Sequence, residues 1–477
     1  MRSLKEKSAI AIAWDFGGLI ATKGSGFIIS IFLARILSPS EFGLIGMSMV
    51  FIAISQVFID VGFNAALIQK KKVSNLEYSS VFYFNILAGI LLALLFFLSA
   101  PLIGQFYKLS EITGIVRWLS FSFIINSFVQ VQTAVLIKEL NFKSLTLSNM
   151  VASMAGGIIG LLAAFYSFGV YSLVIQNLVT SLISLILLWR ISSWRPSLIF
   201  SYKSLKSLMG FSSYVFFDRL ISTTFSKLDV MLIGKVFSPA TLGYYSRAVS
   251  LKDQVTLYSS SSLTKVFYPA LSSLQDSQDE YSKVYFKVLS VISFISFALT
   301  GFLYVLGEEI ILGLFGEKWV ESVPIFQVLI LGVSLYPINS MIVNAFMSKG
   351  GARQNFYIGL LRKTIGLIPL YFAYACGIHE FTVASVIVIY LLTVINIVFL
   401  NYYFKLSIFK HLYRISEGAI LLIVVIFASQ FVNGLISKVI LAISYLLFYL
   451  IFHRVLKSEG STFVMENIKK IIKRWKS

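Results

Sequence analysis

Charge is what this 477-residue sequence has least of. Asp, Glu, Lys and Arg together make up 13% of it, about half the share usual in soluble domains. It has a single cysteine, Cys376, so no intrachain disulfide and no cysteine-based metal cluster can form. Its three histidines, His379, His411 and His453, lie apart, in or near the expected loops, and suit neither a metal site nor a catalytic cluster. No glycine-rich phosphate loop followed by Lys-Ser/Thr is present, which argues against a built-in ATPase. No small-residue cleavage site follows the basic-then-apolar start MRSLKEKSAIAIAW, which therefore reads as a retained first helix rather than a signal peptide.

What fills the chain is hydrophobic: 57% of residues, with a mean hydropathy of +0.85. A spanning helix needs about 20 apolar residues, so this composition supplies a dozen or more spans. The expected fold class is an all-α polytopic membrane protein. The basic excess, 40 Lys and Arg against 21 Asp and Glu, sits in short loops and the C-terminal tail, where topology signals belong. No nucleic-acid partner is therefore expected.

About fourteen transmembrane helices are predicted from hydrophobic runs of spanning length. The first six cover 10–37, 43–68, 78–106, 113–137, 144–168 and 170–191, giving an N-terminal six-helix lobe within 1–191. A basic connector, 192–210, follows and is placed in the cytoplasm. The next six cover 211–237, 242–271, 284–314, 322–347, 356–376 and 381–404, a C-terminal six-helix lobe over 211–404. Two additional helices, 415–431 and 435–452, and a basic cytoplasmic tail complete 405–477. The segment 467–477, NIKKIIKRWKS, is short, basic and amphipathic and suits the anionic inner leaflet.

Lys and Arg are crowded into alternate segments. The opposite set holds only Arg35, Lys108, Lys235, Lys318 and Lys438, and its loop 307–321 is acidic. This asymmetry puts the N- and C-termini in the cytoplasm and requires an even number of spans. An even six-helix unit returns the chain to its starting side, so a second copy inserts in the same orientation as a parallel pseudo-repeat. A trace of such a copy exists. RILSPSEFG (35–43) returns as KVFSPATLG (235–243): Ser38, Pro39 and Gly43 have counterparts in Ser238, Pro239 and Gly243. Ser and Pro start a helix and Gly allows tight packing, so this is read as an outer turn that marks the duplication. The pairs Gly156-Gly157 and Gly350-Gly351 read as helix packing and a turn.

Charged residues inside spans cost at least about 2.5–3.5 kcal/mol on insertion scales, so they face a partner or a water-filled cavity. They concentrate in spans one, two, seven and eight. Asp15 and Lys23 lie in the first, with Gln56, Asp60 and Asn64 on one expected helix face in the second. Asp218, Ser222, Ser226 and Asp229 share an expected face in the seventh, with Lys227 beside it. Arg247, Ser250, Gln254, Tyr258, Ser261 and Lys265 make a stripe along the eighth, flanked by Lys252 and Asp253. Arg117 sits in the outer part of the fourth. Internal ion pairs and snorkelling explain part of this set, Arg219, Lys265, Arg117 and Asp15 foremost. The remainder is read as lining a hydrated cleft between two lobes, mostly cationic and suited to a phosphate-bearing substrate. The substrate-binding candidates are Lys23, Lys227, Asp229, Arg247, Lys252 and Arg117. Asp15, Asp60 and Asp218 could bind a proton or sodium ion, or pair with basic neighbours. No catalytic residue, metal or cofactor is expected.

Several segments resemble a known family: ARILSPSEFGLIGM (34–47), DVGFNAALIQ (60–69), KELNFKSLTLSNM (138–150), GVYSLVIQNLV (169–179), KLDVMLIGKVFSPATLGYYSRA (227–248) and FYPALSSLQ (267–275). Together they are similar to bacterial polysaccharide exporters of the Wzx type, in the colanic-acid and teichuronic-acid exporter branch. These share a superfamily with multidrug extrusion (MATE) proteins and MurJ-type lipid II flippases. The resemblance implies a bundle of six plus six helices in the bacterial cytoplasmic membrane. It also implies flipping of an undecaprenyl-diphosphate-linked oligosaccharide for surface polysaccharide biosynthesis, with membrane lipids around it and a polymerase and chain-length regulator as pathway partners. In MurJ-type relatives an extra helix pair flanks a lipid-tail groove, which is carried over only loosely. The alternative is a multidrug/cation antiporter of the same superfamily, which calls for an acidic, aromatic cleft where this one reads as net basic. A membrane polymerase or ligase would need a sizeable outer loop with catalytic Arg or His, and loop 307–321 has neither.

Overall fold

The computed structural model describes residues 4–456 and 458–462, without the side chains of 4–16, 19, 20 and 258–266. The tail segment 467–477 lies outside the described residues. Contacts divide the chain into two compact units, Met1–Gly243 and Tyr244–Ser477.

The first unit holds α1 (Leu4–Ile36), α2 (Pro39–Asp60), α3 (Phe63–Gln69), α4 (Asn75–Tyr107) and α5 (Glu111–Ser127). It continues with α6 (Gln130–Lys138), α7 (Phe142–Phe165), α8 (Tyr171–Ile191), α9 (Tyr202–Phe225) and α10 (Leu228–Val236). Helix α11 (Pro239–Ser272) runs across the division. The second unit continues with α12 (Gln278–Val305), α13 (Gly307–Phe315), α14 (Ser322–Val333), α15 (Tyr336–Ser348) and α16 (Ala352–Ile365). It ends with α17 (Ile368–Ala375), α18 (Ile378–Phe404), α19 (Ile408–Ser429) and α20 (Leu435–Val455). Every expected span coincides with one helix or one broken pair. Among the described residues, ten segments are long and apolar enough to cross a membrane, or eleven with the α5–α6 pair, bent by 41°. The remaining three, α1, the α9–α10 pair and α11, carry most of the charges singled out above.

In the first unit α7 packs on both α1 and α8, and α4 packs on α5. Small residues permit this: side chains on Gly156 and Gly157 would overlap Thr180 and Ile29. The expected connector is only partly a connector, because α9 begins at Tyr202, well before residue 211. Ser201 caps it, its hydroxyl accepting from the Ser204 N–H at 3.2 Å. Leu205 and Leu208 then bury into a core with Phe63, Leu67, Phe82 and Val131. The preceding stretch is pinned to the start of α4. Trp194 Nε1 donates to Asn75 Oδ1 at 2.8 Å, and the Ser197 and Ser201 N–H groups donate to the Ser79 and Ser80 hydroxyls.

The second unit has a larger aromatic core, in which Tyr281, Tyr285, Phe297, Phe346 and Tyr449 are buried. Helices α19 and α20 are seated on α12. The Tyr445 hydroxyl donates to the Phe297 carbonyl at 2.9 Å. The Tyr445 ring fills the space a side chain on Gly301 would need, and Gly418 lies against the Phe297 ring. At the other end of α20, Lys438 pairs with Glu308 and, at 3.0 Å, with Glu309. That contact joins α20 to the acidic segment that the charge pattern placed on the same side as Lys438.

Candidate functional site

The two Ser-Pro-x-x-x-Gly turns meet each other. The first turns of α2 and α11 approach so closely that a Cβ on Gly43 would overlap the Pro239 carbonyl, and one on Gly243 would overlap that of Pro39. The contact is reciprocal, and any side chain at either position would separate the backbones. Ser38 caps α2 in a box with Glu41: the Ser38 N–H donates to Glu41 Oε2 at 2.6 Å and the Glu41 N–H to Ser38 Oγ at 3.4 Å. Helix α10, immediately before the second turn, packs on α2, where Gly234 abuts Met47.

The charged residues lie on α1, α2, α5, α9, α10 and α11 and at the α9–α10 break. Two of the expected polar faces are interrupted. Val61 and Gly62 adopt left-handed conformations between α2 and α3, so Asp60 and Asn64 do not continue one helical face. Asp60 is 5% exposed. Its Oδ1 accepts the Asn64 N–H at 2.7 Å, and its Oδ2 faces Arg219 Nη1 of α9 at 3.2 Å. Asn64 in turn donates to Gln130 at 2.8 Å. The pairing reading therefore describes Asp60 in this structure. The Asp218-to-Asp229 face is likewise broken, because α9 ends at Phe225 and α10 starts at Leu228. The cause is a run of Ser and Thr whose hydroxyls compete for backbone carbonyls. Ser226 Oγ takes the Thr223 carbonyl, and the Lys227 N–H turns back to Thr224.

Lys227 thus occupies the break itself, half-buried, one residue before α10. Asp229 sits in the first turn of α10 and accepts the Val230 N–H at 2.8 Å. Lys23 and Asp218 are exposed on α1 and α9. Asp15 belongs to α1, but its side chain lies outside the described residues. On α11, Arg247 Cζ stands 5.8 Å from the Phe315 ring centroid and 6.0 Å from that of Trp319. Lys252 lies 2.9 Å from Asp253 and 5.4 Å from the Tyr336 ring. Of the stripe beyond them, Tyr258, Ser261 and Lys265 have side chains outside the described residues. Arg117 is exposed on α5. Its Nε donates to the Phe97 carbonyl at 3.4 Å and its guanidinium packs on the Phe97 ring. Exposed Trp118 and Phe121 flank it, a snorkelling environment rather than a polar one.

Two features were not anticipated. His411 and His453 are not loop residues: both are buried within α19 and α20. The break between α14 and α15 carries a polar network, in which Asn339 donates to Thr393 at 2.8 Å and to the Leu335 carbonyl at 3.1 Å, and Asn396 donates to Asn339 at 3.0 Å. Asparagines inside apolar spans were the available signal.

Long apolar helices, several of them broken and carrying charged residues at or near the breaks, mark a multi-pass membrane protein among the described residues. Solved structures agree on the fold. The chain is similar to the lipid II flippase MurJ in an inward closed conformation, with a TM-score of 0.73 and 16% identity, over 93% of this chain and 99% of that one. It is also similar to an inward-facing multidrug resistance MATE family transporter, with a TM-score of 0.61 and 11% identity, over 80% and 94% of the two chains. Residues 32–324 match the polysaccharide biosynthesis protein family, and the chain belongs to that family. Among curated relatives, it is 26% identical over 370 residues to the lipopolysaccharide biosynthesis protein WzxC of Escherichia coli (strain K12), covering 77% of this chain and 75% of that one. It is 27% identical over 309 residues to the teichuronic acid biosynthesis protein TuaB of Bacillus subtilis (strain 168), covering 64% and 63%.

Proposed function

We propose that this chain flips a polyprenyl-diphosphate-linked oligosaccharide across the bacterial cytoplasmic membrane by alternating access, supplying repeat units for surface polysaccharide. The reading rests above all on family membership combined with a fold similar to that of a lipid II flippase over 93% of the chain. The substrate carries a diphosphate, and Lys and Arg are its natural binders in a site of low dielectric. Lys227 at the α9–α10 break and Arg247 on α11 take that role, with Lys23 and Lys252 as further cations and Asp229 orienting Lys227 or a sugar hydroxyl. Arg117 we assign instead to the outer membrane interface. Asp60 we assign to holding α9 against α2, which leaves Asp15 and Asp218 as the candidates for coupling to a proton or sodium ion.

The charge asymmetry supports two cytoplasmic termini, and the paired Ser-Pro-x-x-x-Gly turns support two six-helix repeats with α19 and α20 appended. The work of such a protein is transport and calls for no catalytic residue. A polymerase and a chain-length regulator acting on the same glycan are its expected partners. The antiporter reading keeps the likeness to the MATE transporter but leaves the family match without a role.

Neutralising Lys227 and Arg247, as Lys227→Gln and Arg247→Gln, tests the proposal. Each variant is expected to lose surface polysaccharide, stained on intact cells, while reaching the membrane at the native level. Normal export by both would overturn the cationic-path reading, and drug resistance conferred without any glycan defect would favour the antiporter.

A further inference from the structure

The first turns of α12 and α19 enclose a cavity of about 320 Å³. Both helices start on the side of the membrane that the Lys and Arg distribution marks as cytoplasmic. Lys283 and Asp279 of α12 and Lys410 and Arg414 of α19 supply its charged walls, with Glu459 closing it from beyond α20. Phe286 and Tyr413 supply its apolar walls. The lining holds three cations and two carboxylates, and Glu417 behind Arg414 adds a third, so Lys283 and Lys410 carry the positive charge a ligand would meet.

The arrangement is built rather than incidental. Arg414 Nη2 meets Glu459 at 3.0 Å, and its Nη1 faces the buried Glu417 at 3.7 Å. Two carboxylates thus aim one guanidinium at the cavity wall. Glu459 is placed by its neighbour Gly460, whose N–H donates to Ser290 Oγ at 3.2 Å and whose missing side chain lets the turn lie directly on the α12 backbone. The Lys410 ammonium stands 5.6 Å from the Phe286 ring centroid, held over an aromatic face while its charge stays at the opening. At the rim Phe409 is 77% exposed. An apolar rim above a cationic pocket is the pattern of a site for a phosphate that hangs from acyl chains.

We propose that this pocket binds a phosphate anion, carried on a phospholipid headgroup or free, through Lys283, Lys410 and Arg414. Basic pockets between membrane helices on the cytoplasmic side suit anionic headgroups, and charge-assisted contacts to phosphate oxygens supply the affinity. The site shares no residue with the proposed transport path, so its failure would leave that reading standing.

The test uses the full chain purified in detergent. Native mass spectrometry would follow binding of dioleoyl phosphatidylglycerol and, as a phosphate-free control, dioleoylglycerol. Thermal unfolding with added inorganic phosphate forms the second arm. Lys283 and Lys410 are both exposed, so the double variant Lys283→Gln/Lys410→Gln should fold, which gel filtration checks; Lys405→Gln serves as a charge-matched control outside the pocket. The lipid is expected on the native chain and on Lys405→Gln, and to bind about tenfold more weakly to the double variant. A shift in melting temperature with inorganic phosphate, lost in the double variant, would identify the free anion as an occupant. A response to the lipid alone would assign the site to a headgroup. Equal binding of lipid and of phosphate to native and double-variant protein would overturn the proposal, as would dioleoylglycerol binding as well as phosphatidylglycerol.

Discussion

At the start of α2, Ser38 and Glu41 close a reciprocal cap. At the start of α11, Ser238 has Thr241 in the matching place: the two hydroxyls lie 3.0 Å apart, and the Thr241 N–H donates to Ser238 Oγ at 3.2 Å. The residue before each turn differs too. Arg35 stands before the first, and Lys235 before the second, where it reaches to the Phe106 carbonyl and lies 4.5 Å from that ring's centroid. Yet Pro39 and Gly43 on one side, and Pro239 and Gly243 on the other, are the same residues in the same register. The turns agree where their backbones touch and differ in the side chains around that contact. A cap can be made by several side chains; a backbone-to-backbone approach at this spacing admits only glycine.

The comparison can be broken most severely at the glycines. Gly43→Ala and Gly243→Ala should each destabilise the chain by about 3 kcal/mol, the upper end for forcing atoms into a packed site. Because both remove one shared contact, the double variant should cost little more than either alone. Thermal unfolding of the detergent-solubilised protein measures this, and full additivity would show that the two turns act separately. A smaller effect is expected at the Asp60–Arg219 link between α2 and α9. Asp60→Ala strands Arg219, but that side chain is 51% exposed, so the cost should be about 1–2 kcal/mol. Adding Arg219→Ala should recover part of it; no recovery would mean that the Asp60 bond to the Asn64 N–H carries the effect. The smallest and sharpest test compares the caps. Glu41→Ala should cost about 1 kcal/mol and Thr241→Ala about half of that. A reversed order in the measured melting temperatures would show that the capping box contributes less than its geometry implies.

The order and approximate limits of the long helices were legible in the sequence because hydrophobic runs of spanning length are a strong local signal. So was the turn motif, down to its glycines. The breaks were not. Nothing in SQVFIDVGFNAAL distinguishes a continuous helix from one that stops at Asp60 and restarts at Phe63 except Gly62, and glycine inside a membrane helix is common. The break at Ser226 and Lys227 has neither Gly nor Pro to announce it. Pairings were harder still. Asp60 and Arg219 are 159 residues apart, and each alone looked like a charge that needs an explanation. Two of the three histidines were misplaced for a related reason: α19 begins at Ile408 rather than near 415, which takes His411 into a buried helix, and α20 continues to Val455, which does the same for His453.

The seating of α19 and α20 on α12 has a practical consequence for spectroscopy. Tyr445 bonded to the Phe297 carbonyl, Gly418 against the Phe297 ring and Lys438 paired with Glu308 and Glu309 tie the α19–α20 hairpin to α12 and α13 at three points. A spin label or fluorophore attached in its short exposed loop, at Asn433 for instance, would therefore travel with α12. Distances measured from it would report the displacement of the second unit's core rather than the wandering of a peripheral helix pair.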